Sequence, residues 1–161
     1  MVLRAATFDS SFWVHVAYMG VAEYLVEDYR LFCTPAVERE FSQANPTGPK
    51  LKNLMAEGLI ERAEPTIETV KLYGHGERGA INLALEKKLL LCIDDWKPLE
   101  AAKEAGIETL NSLTFLIKLY REDRLSTEKT LSELARMARR GTIRAEWVHA
   151  ALRMAAKIKQ G

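Results

Sequence analysis

The stretch Leu89-Leu90-Leu91-Cys92-Ile93-Asp94-Asp95 decides the fold. Five apolar residues without polar alternation have the length of a strand buried on both faces, as in a parallel sheet covered by helices. Two adjacent carboxylates then stand where the strand runs out. Like charges side by side destabilise each other, so the pair needs a cause. One cause is capping of the helix that Trp96-Lys97-Pro98 would start. The other is a bound cation.

Outward from this strand, the pattern alternates. Residues 77–88 predict an amphipathic helix, with Ala80, Ile81, Ala84 and Leu85 on one face. A helix over 98–105, stopped by Gly106, and a strand over 107–110 follow. Upstream, the apolar run 2–8 ends at Asp9-Ser10, and Ser10 or Ser11 is a candidate cap for a helix carrying Phe12, Val16 and Met19. Gly20 closes that helix, and 21–28 reads as a second. A strand over 31–34 leads into a helix that Pro35 opens and Phe41 ends. A loop over 43–49, a helix over 50–57 and a strand over 59–63 complete the first half. Beyond 110, an apolar helix spans 114–120. A helical hairpin, 127–140 and 144–159, turns at Gly141, with Leu131, Leu134, Met137, Val148, Leu152 and Ala155 as its packing positions. This order predicts an α/β fold around a mostly parallel sheet. One domain is expected over 1–161, with a core to about 120 and a C-terminal helical segment over 121–161.

Asp9, Glu40, Glu77, Asp94 and Asp95 all fall at predicted strand ends or near helix ends. In a parallel α/β domain such positions converge on one crevice. Carboxylates gathered there repel unless neutralised, and the usual neutraliser is Mg²⁺ or Mn²⁺ bound through oxygen. That combination points to metal-assisted phosphodiester chemistry. Each acid also has a plainer reading. Glu77 suits a helix start anyway, and Glu40 is an ordinary solvated glutamate with Glu38 as rival.

Gly74-His75-Gly76-Glu77-Arg78-Gly79 formally matches the dinucleotide fingerprint G-x-G-x-x-G, with 69–73 as a preceding strand and Asp94 as the ribose acid. Three features argue against it. Glu77 would set a negative charge beside the pyrophosphate. Residues 65–73 carry two Glu and a Lys, unsuited to a central strand. The motif also belongs in the first strand–helix turn, and about half this chain precedes it.

His15, His75 and His149 lack metal-ligand spacing. His15 is expected on a helix surface or partly buried, and His75 in a loop close to Glu77. Trp13, Trp96 and Trp147 are expected to pack, although Trp96 abuts the acidic pair. Cys33 and Cys92 lie in apolar runs and read as buried free thiols. No apolar run reaches transmembrane length and no signal-peptide pattern opens the chain, so a cytoplasmic protein is expected.

The chain is 48% hydrophobic and 28% charged, with a net charge of +1. Residues 118–161 hold 11 Lys and Arg against 5 Asp and Glu, which leaves 12 against 17 in the first 117 residues, from totals of 23 and 22. An acidic body beside a basic C-terminal segment suits metal carboxylates next to a polyanion-binding surface, with a solvated helical face as the alternative.

Phe8-Asp9-Ser10-Ser11, the stretch from Pro35 to Phe41, the stretch from Gly76 to Ala84, and Leu90-Leu91-Cys92-Ile93-Asp94-Asp95 together resemble PIN-domain proteins, over about residues 3–120. The likeness is to a prokaryotic branch related to toxin–antitoxin ribonucleases. It implies a three-layer α/β/α sandwich and metal-dependent endonuclease action, usually on RNA, with Mg²⁺ or Mn²⁺ as cofactor. By motif, Asp9, Glu40, Glu77 and Asp95 match the family's acids, with Asp94 as rival to Asp95. Ser10 or Ser11 matches a small hydroxyl residue beside the first acid. Lys97 stands where many members carry a further acid. The expected partner is single-stranded RNA, positioned by Arg139, Arg140 and Arg144. A cognate antitoxin and a homodimer are the other partners considered, and no membrane is. The competing class is a non-catalytic PIN-like protein that binds nucleic acid or a partner, which Lys97 favours.

Overall fold

The computed structural model describes residues 2–41 and 45–160. Gln43 and Ala44 of the predicted 43–49 loop lie outside the described residues. The chain divides into two compact units, Met1–Leu110 and Asn111–Gly161.

The first unit runs β1 (Arg4–Phe8), α1 (Ser10–Tyr18), α2 (Ala22–Asp28), β2 (Tyr29–Cys33), α3 (Pro35–Glu40), α4 (Gly48–Ala56), β3 (Ile60–Arg62), α5 (His75–Lys87), β4 (Leu90–Cys92), α6 (Trp96–Glu104) and β5 (Thr109–Leu110). The five strands form one sheet in the order β3-β2-β1-β4-β5, and every pairing is parallel. With the right-handed crossovers that parallel units adopt, the helices flank the sheet on both sides as a three-layer α/β/α sandwich. The apolar run 89–93 supplies β4, whose three residues are all buried. Its neighbour β1 holds the centre, with Phe8 opposite Cys92. From β1 the chain winds outward to β2 and β3, and from β4 it winds the other way to β5. The switch point therefore lies between the ends of β1 and β4, where open parallel sheets bind ligands.

Local chemistry explains most element ends. Thr34 Oγ1 accepts from the Val37 amide at 3.3 Å and caps α3, with Pro35 in its first turn. The helix α4 starts at Gly48, so Gly48 and Pro49 belong to a helix and not to the predicted loop; proline is tolerated in a first turn. The stretch 69–73 is not a strand. It belongs to an irregular strap over residues 63–74 that runs along α5. Glu86 accepts from the Thr66 amide at 3.0 Å. Asn82 accepts from the Val70 amide at 2.8 Å and donates to its carbonyl at 3.0 Å. Arg78 donates to the Lys71 carbonyl at 3.3 Å. Positions 78, 82 and 86 recur every fourth residue, so one stripe of α5 holds the strap.

The second unit is helical: α7 (Ser112–Arg121), α8 (Thr127–Arg140) and α9 (Ala145–Gln160). Asn111 and Ser126 cap α7 and α8, and Gly141 at φ 70° ends α8 in the left-handed region. Leu134, Met137, Val148 and Ala155 are buried, whereas Leu131 and Leu152 stand exposed, contrary to expectation. The buried stripe is narrower than the sequence pattern. Buried Glu133 is satisfied by Lys129 at 2.9 Å and Arg136 at 2.7 Å. Among the described residues no helix is long and apolar enough to cross a membrane.

Trp13 is fully buried, stacks its ring 5.5 Å from Phe8 and donates from Nε1 to the Thr47 carbonyl at 3.0 Å. Trp13→Ala removes this packing at the root of α1 and should cost about 3–5 kcal/mol. Urea denaturation reads the loss, and an unchanged midpoint would show that Trp13 is not a core anchor.

Candidate active site

The site grows from the end of β1. The Asp9 amide donates to the Cys92 carbonyl at 3.1 Å, which extends the β1–β4 ladder by one rung. The Asp9 carboxylate accepts from the Phe12 amide at 2.9 Å and from Ser11 Oγ at 2.8 Å. Asp9, and neither serine, is thus the cap of α1. Only 1% of Asp9 is exposed. Burial pushes its pKa up to about 8, opposed by the Phe12 amide and by Ser11, and reinforced by Asp94 and Glu77.

At the end of β4 the acidic pair splits. Asp94 is buried and meets Nδ1 of buried His15 at 2.5 Å. His15 is therefore not a surface residue. Its helix position says nothing of an acid that arrives from 79 residues downstream. Asp95 is exposed and occupies the cap position of α6, yet its side chain makes no capping bond. It contacts Glu77 instead, and burial and Asp95 raise the Glu77 pKa. Glu77 also accepts from the Gly74 amide at 2.9 Å, which secures the start of α5.

Glu40, at the end of α3, accepts from Ser10 Oγ and lies against Gly76. A Cβ at Gly76 would sit 2.1 Å from Glu40 Oε1, so any larger residue there would make the end of the Glu40 side chain move. Its rival Glu38 is committed elsewhere, in an ion pair with Arg62 at 2.7 Å. The structure thus joins Asp9 to Asp94 and Glu77, and Glu77 to Asp95 and Glu40, through electrostatic coupling. Ser10 and Ser11 serve the acids directly. Arg139 and Arg140 are exposed in the last turn of α8, and Arg144 lies near Glu146 at 3.5 Å.

The donor set is all oxygen, which suits Mg²⁺ or Mn²⁺. Among the described residues no group of three or more His, Cys, Asp and Glu is placed to hold a metal ion together. Coupling between charges reaches further than a ligand bond, so the two observations agree: the acids face one region without touching a common point. An ion that retains several waters and takes one or two carboxylates fits such an open arrangement. Cys33 and Cys92 are buried free thiols, and burial raises the pKa of both, so neither is a nucleophile. Sequence reasoning missed the His15–Asp94 pair and a cleft beside the acids that Arg39, His75 and Arg78 help to line. Side chains brought together from separate elements leave no local pattern to find.

A parallel α/β protein with acids at its switch point is the class that the fold and site define. A family model described as PIN domain, DUF3368, matches residues 5–157, and the chain belongs to that family. Among solved structures, a PilT N-terminus domain protein from the hyperthermophilic archaeon Sulfolobus solfataricus is similar, with 16% identity and a TM-score of 0.48. That likeness covers 80% of this chain and 92% of the other. No curated protein matches the chain.

The Asp9 shift fixes the sign of a pH dependence. Unfolded, its pKa is near the ordinary 3.8 of an aspartate; folded, it is about 8. Between these values the folded state keeps a proton that the unfolded state has lost, so metal-free stability falls as pH rises. Asn caps a helix as well as Asp and has no proton to lose. In a chelator, Asp9→Asn should therefore gain on wild type from pH 4 to pH 8, by on the order of a few kcal/mol. Urea midpoints across that range measure the gap, and parallel curves for the two proteins would refute the buried-acid account.

Proposed function

We propose that this PIN-domain protein is a metal-dependent endonuclease that hydrolyses phosphodiester bonds in single-stranded RNA. Nuclease action is the general property of PIN domains. The observation that supports it most here is the gathering of Asp9, Glu40, Glu77 and Asp95 at the switch point, where neighbouring carboxylates add to burial in raising the pKa of Asp9 and of Glu77.

One or two of Asp9, Glu77 and Asp95 would hold the ion directly, and the remaining acids, Glu40 among them, would face its waters. When bound, it supplies an activated water and neutralises charge on the phosphate oxygens. The chain's own contribution is orientation. Ser11 and the Phe12 amide fix the Asp9 carboxylate, Ser10 holds Glu40, and the Gly74 amide holds Glu77. Asp94, tied to His15, lies close enough to Asp9 to oppose its ionisation.

Arg139, Arg140 and Arg144 would contribute phosphate contacts, which position a strand but carry no sequence information. A toxin role with a cognate antitoxin, a homodimer and a cytoplasmic setting are consistent with this reading. The second reading, a non-catalytic nucleic-acid binder, draws on Lys97, exposed in the first turn of α6 where the family resemblance implies a further acid.

Cleavage of single-stranded RNA should require Mn²⁺ or Mg²⁺. Even groups behind a metal's ligands are worth roughly 10–100-fold, so Asp9→Asn should lower the rate by about 100-fold or more. RNA bound by both proteins and cut by neither would leave the binding reading in its place. Separately, replacing Arg139, Arg140 and Arg144 with Ala should weaken RNA binding and flatten its salt dependence while Mn²⁺ affinity persists. Unchanged affinity and slope would remove these arginines from the RNA surface.

A further inference from the structure

A cleft of about 340 Å³ opens between α3, the strap and the first half of α5. It is distinct from the acid cluster but shares two helices with it. Arg39 lines the cleft and Glu40, the next residue, lies in the acid cluster. His75 and Arg78 line the cleft and bracket Glu77.

The walls differ in chemistry. The two helices present Arg39, His75 and Arg78, and the strap presents Glu64 and Glu68. Arg78 is already oriented. It donates to the Lys71 carbonyl at 3.3 Å and to Nδ1 of His75 at 2.5 Å. Arginine is always a donor, so Nδ1 must accept and the ring proton sits on Nε2. Both side chains thus keep N–H groups for an acceptor. A purely basic cleft would suit any polyanion. Facing glutamates would repel a phosphate over half of this one, and they favour a ligand that is anionic at one end and a hydrogen-bond donor at the other.

We propose that this cleft takes one nucleotide of the bound RNA strand beside the scissile bond, its phosphate against Arg39, His75 and Arg78, and its base edge against Glu64 and Glu68. Carboxylates accept from an exocyclic amino group, such as cytosine N4, and find no such group on uracil. The cleft therefore favours cytidine over uridine. This inference rests on the nuclease reading, because it places the nucleotide on a strand that crosses the acids.

The test measures binding of short cytidine and uridine homopolymers by fluorescence anisotropy, in Mg²⁺ and on an Asp9→Asn background so that the strand stays intact. The parent should prefer the cytidine strand by roughly tenfold, the worth of one good base-edge contact. Arg39→Ala and Arg78→Ala should each weaken both strands and reduce the salt slope by about one. Arg78 also ties the strap, so Arg39→Ala, at an exposed position of α3, keeps the result independent of folding. Joint Glu64→Ala and Glu68→Ala should abolish the preference for cytidine. Unchanged salt slopes in both arginine variants, or a base preference that survives loss of both glutamates, would overturn the proposal. Cytidine monophosphate competing as well as the strand would overturn it too, in favour of a free-nucleotide site. If the parent binds neither homopolymer, the nuclease reading fails with it. If the parent binds and the cleft variants bind equally, only the cleft assignment fails.

Discussion

Burial of one carboxyl group at the end of the central strand is the constraint on which this structure turns. The Asp9 backbone closes β1 onto β4 through Cys92, and its side chain starts α1 through Phe12. Sheet and first helix are thereby fixed to the same residue. Nothing in that architecture requires a charge, because Asn or Ser would cap α1 as well. The protein instead keeps an acid where burial, Asp94 and Glu77 all oppose its ionisation. A perturbed acid in a crevice is what makes Asp9 a candidate for the proposed function.

Helix α5 shows how one element serves several demands. Ala80, Ile81, Leu83 and Ala84 face the core. Gly76 and Glu77 face the acids, and Arg78, Asn82 and Glu86 hold the strap. Asn82 is a buried amide whose oxygen and nitrogen are both satisfied by a single residue, Val70, so the strap is set in register by an interaction costly to leave unmade. The glycine spacing that imitates a dinucleotide fingerprint gains a different cause here. At Gly76 the close neighbour is a carboxylate and not a pyrophosphate.

The strands were legible in the sequence because they are short apolar runs between strong helix signals, whereas their order, with β1 beside β4 at the centre, came from the structure. Asp9, Glu77 and Asp95 were legible because each follows such a signal. Glu40 was chosen over Glu38 only through the family resemblance, and the structure adds the Arg62 pairing of Glu38 and the approach of Glu40 to Gly76. The strap was not legible. Its partners are spaced along α5 in reverse order, and its own residues carry neither helical nor strand periodicity. His15 was misplaced for a related reason. A polar residue is judged exposed until a second polar residue, distant in sequence, is seen to meet it.

The adjacent carboxylates that first marked the chain are resolved by direction. Successive side chains at a strand end point to opposite sides. Asp94 turns inward to His15, and Asp95 turns outward to Glu77. The capping explanation fails for Asp95, which holds the cap position without making the bond. What remains is a contact between two carboxyl groups at an open surface, with Glu40 adding its charge. Such a contact persists only when the groups share a proton or a cation stands between them. A shared proton accounts for the raised Glu77 pKa, and a cation between the two carboxyls is what the proposed nuclease reading adds.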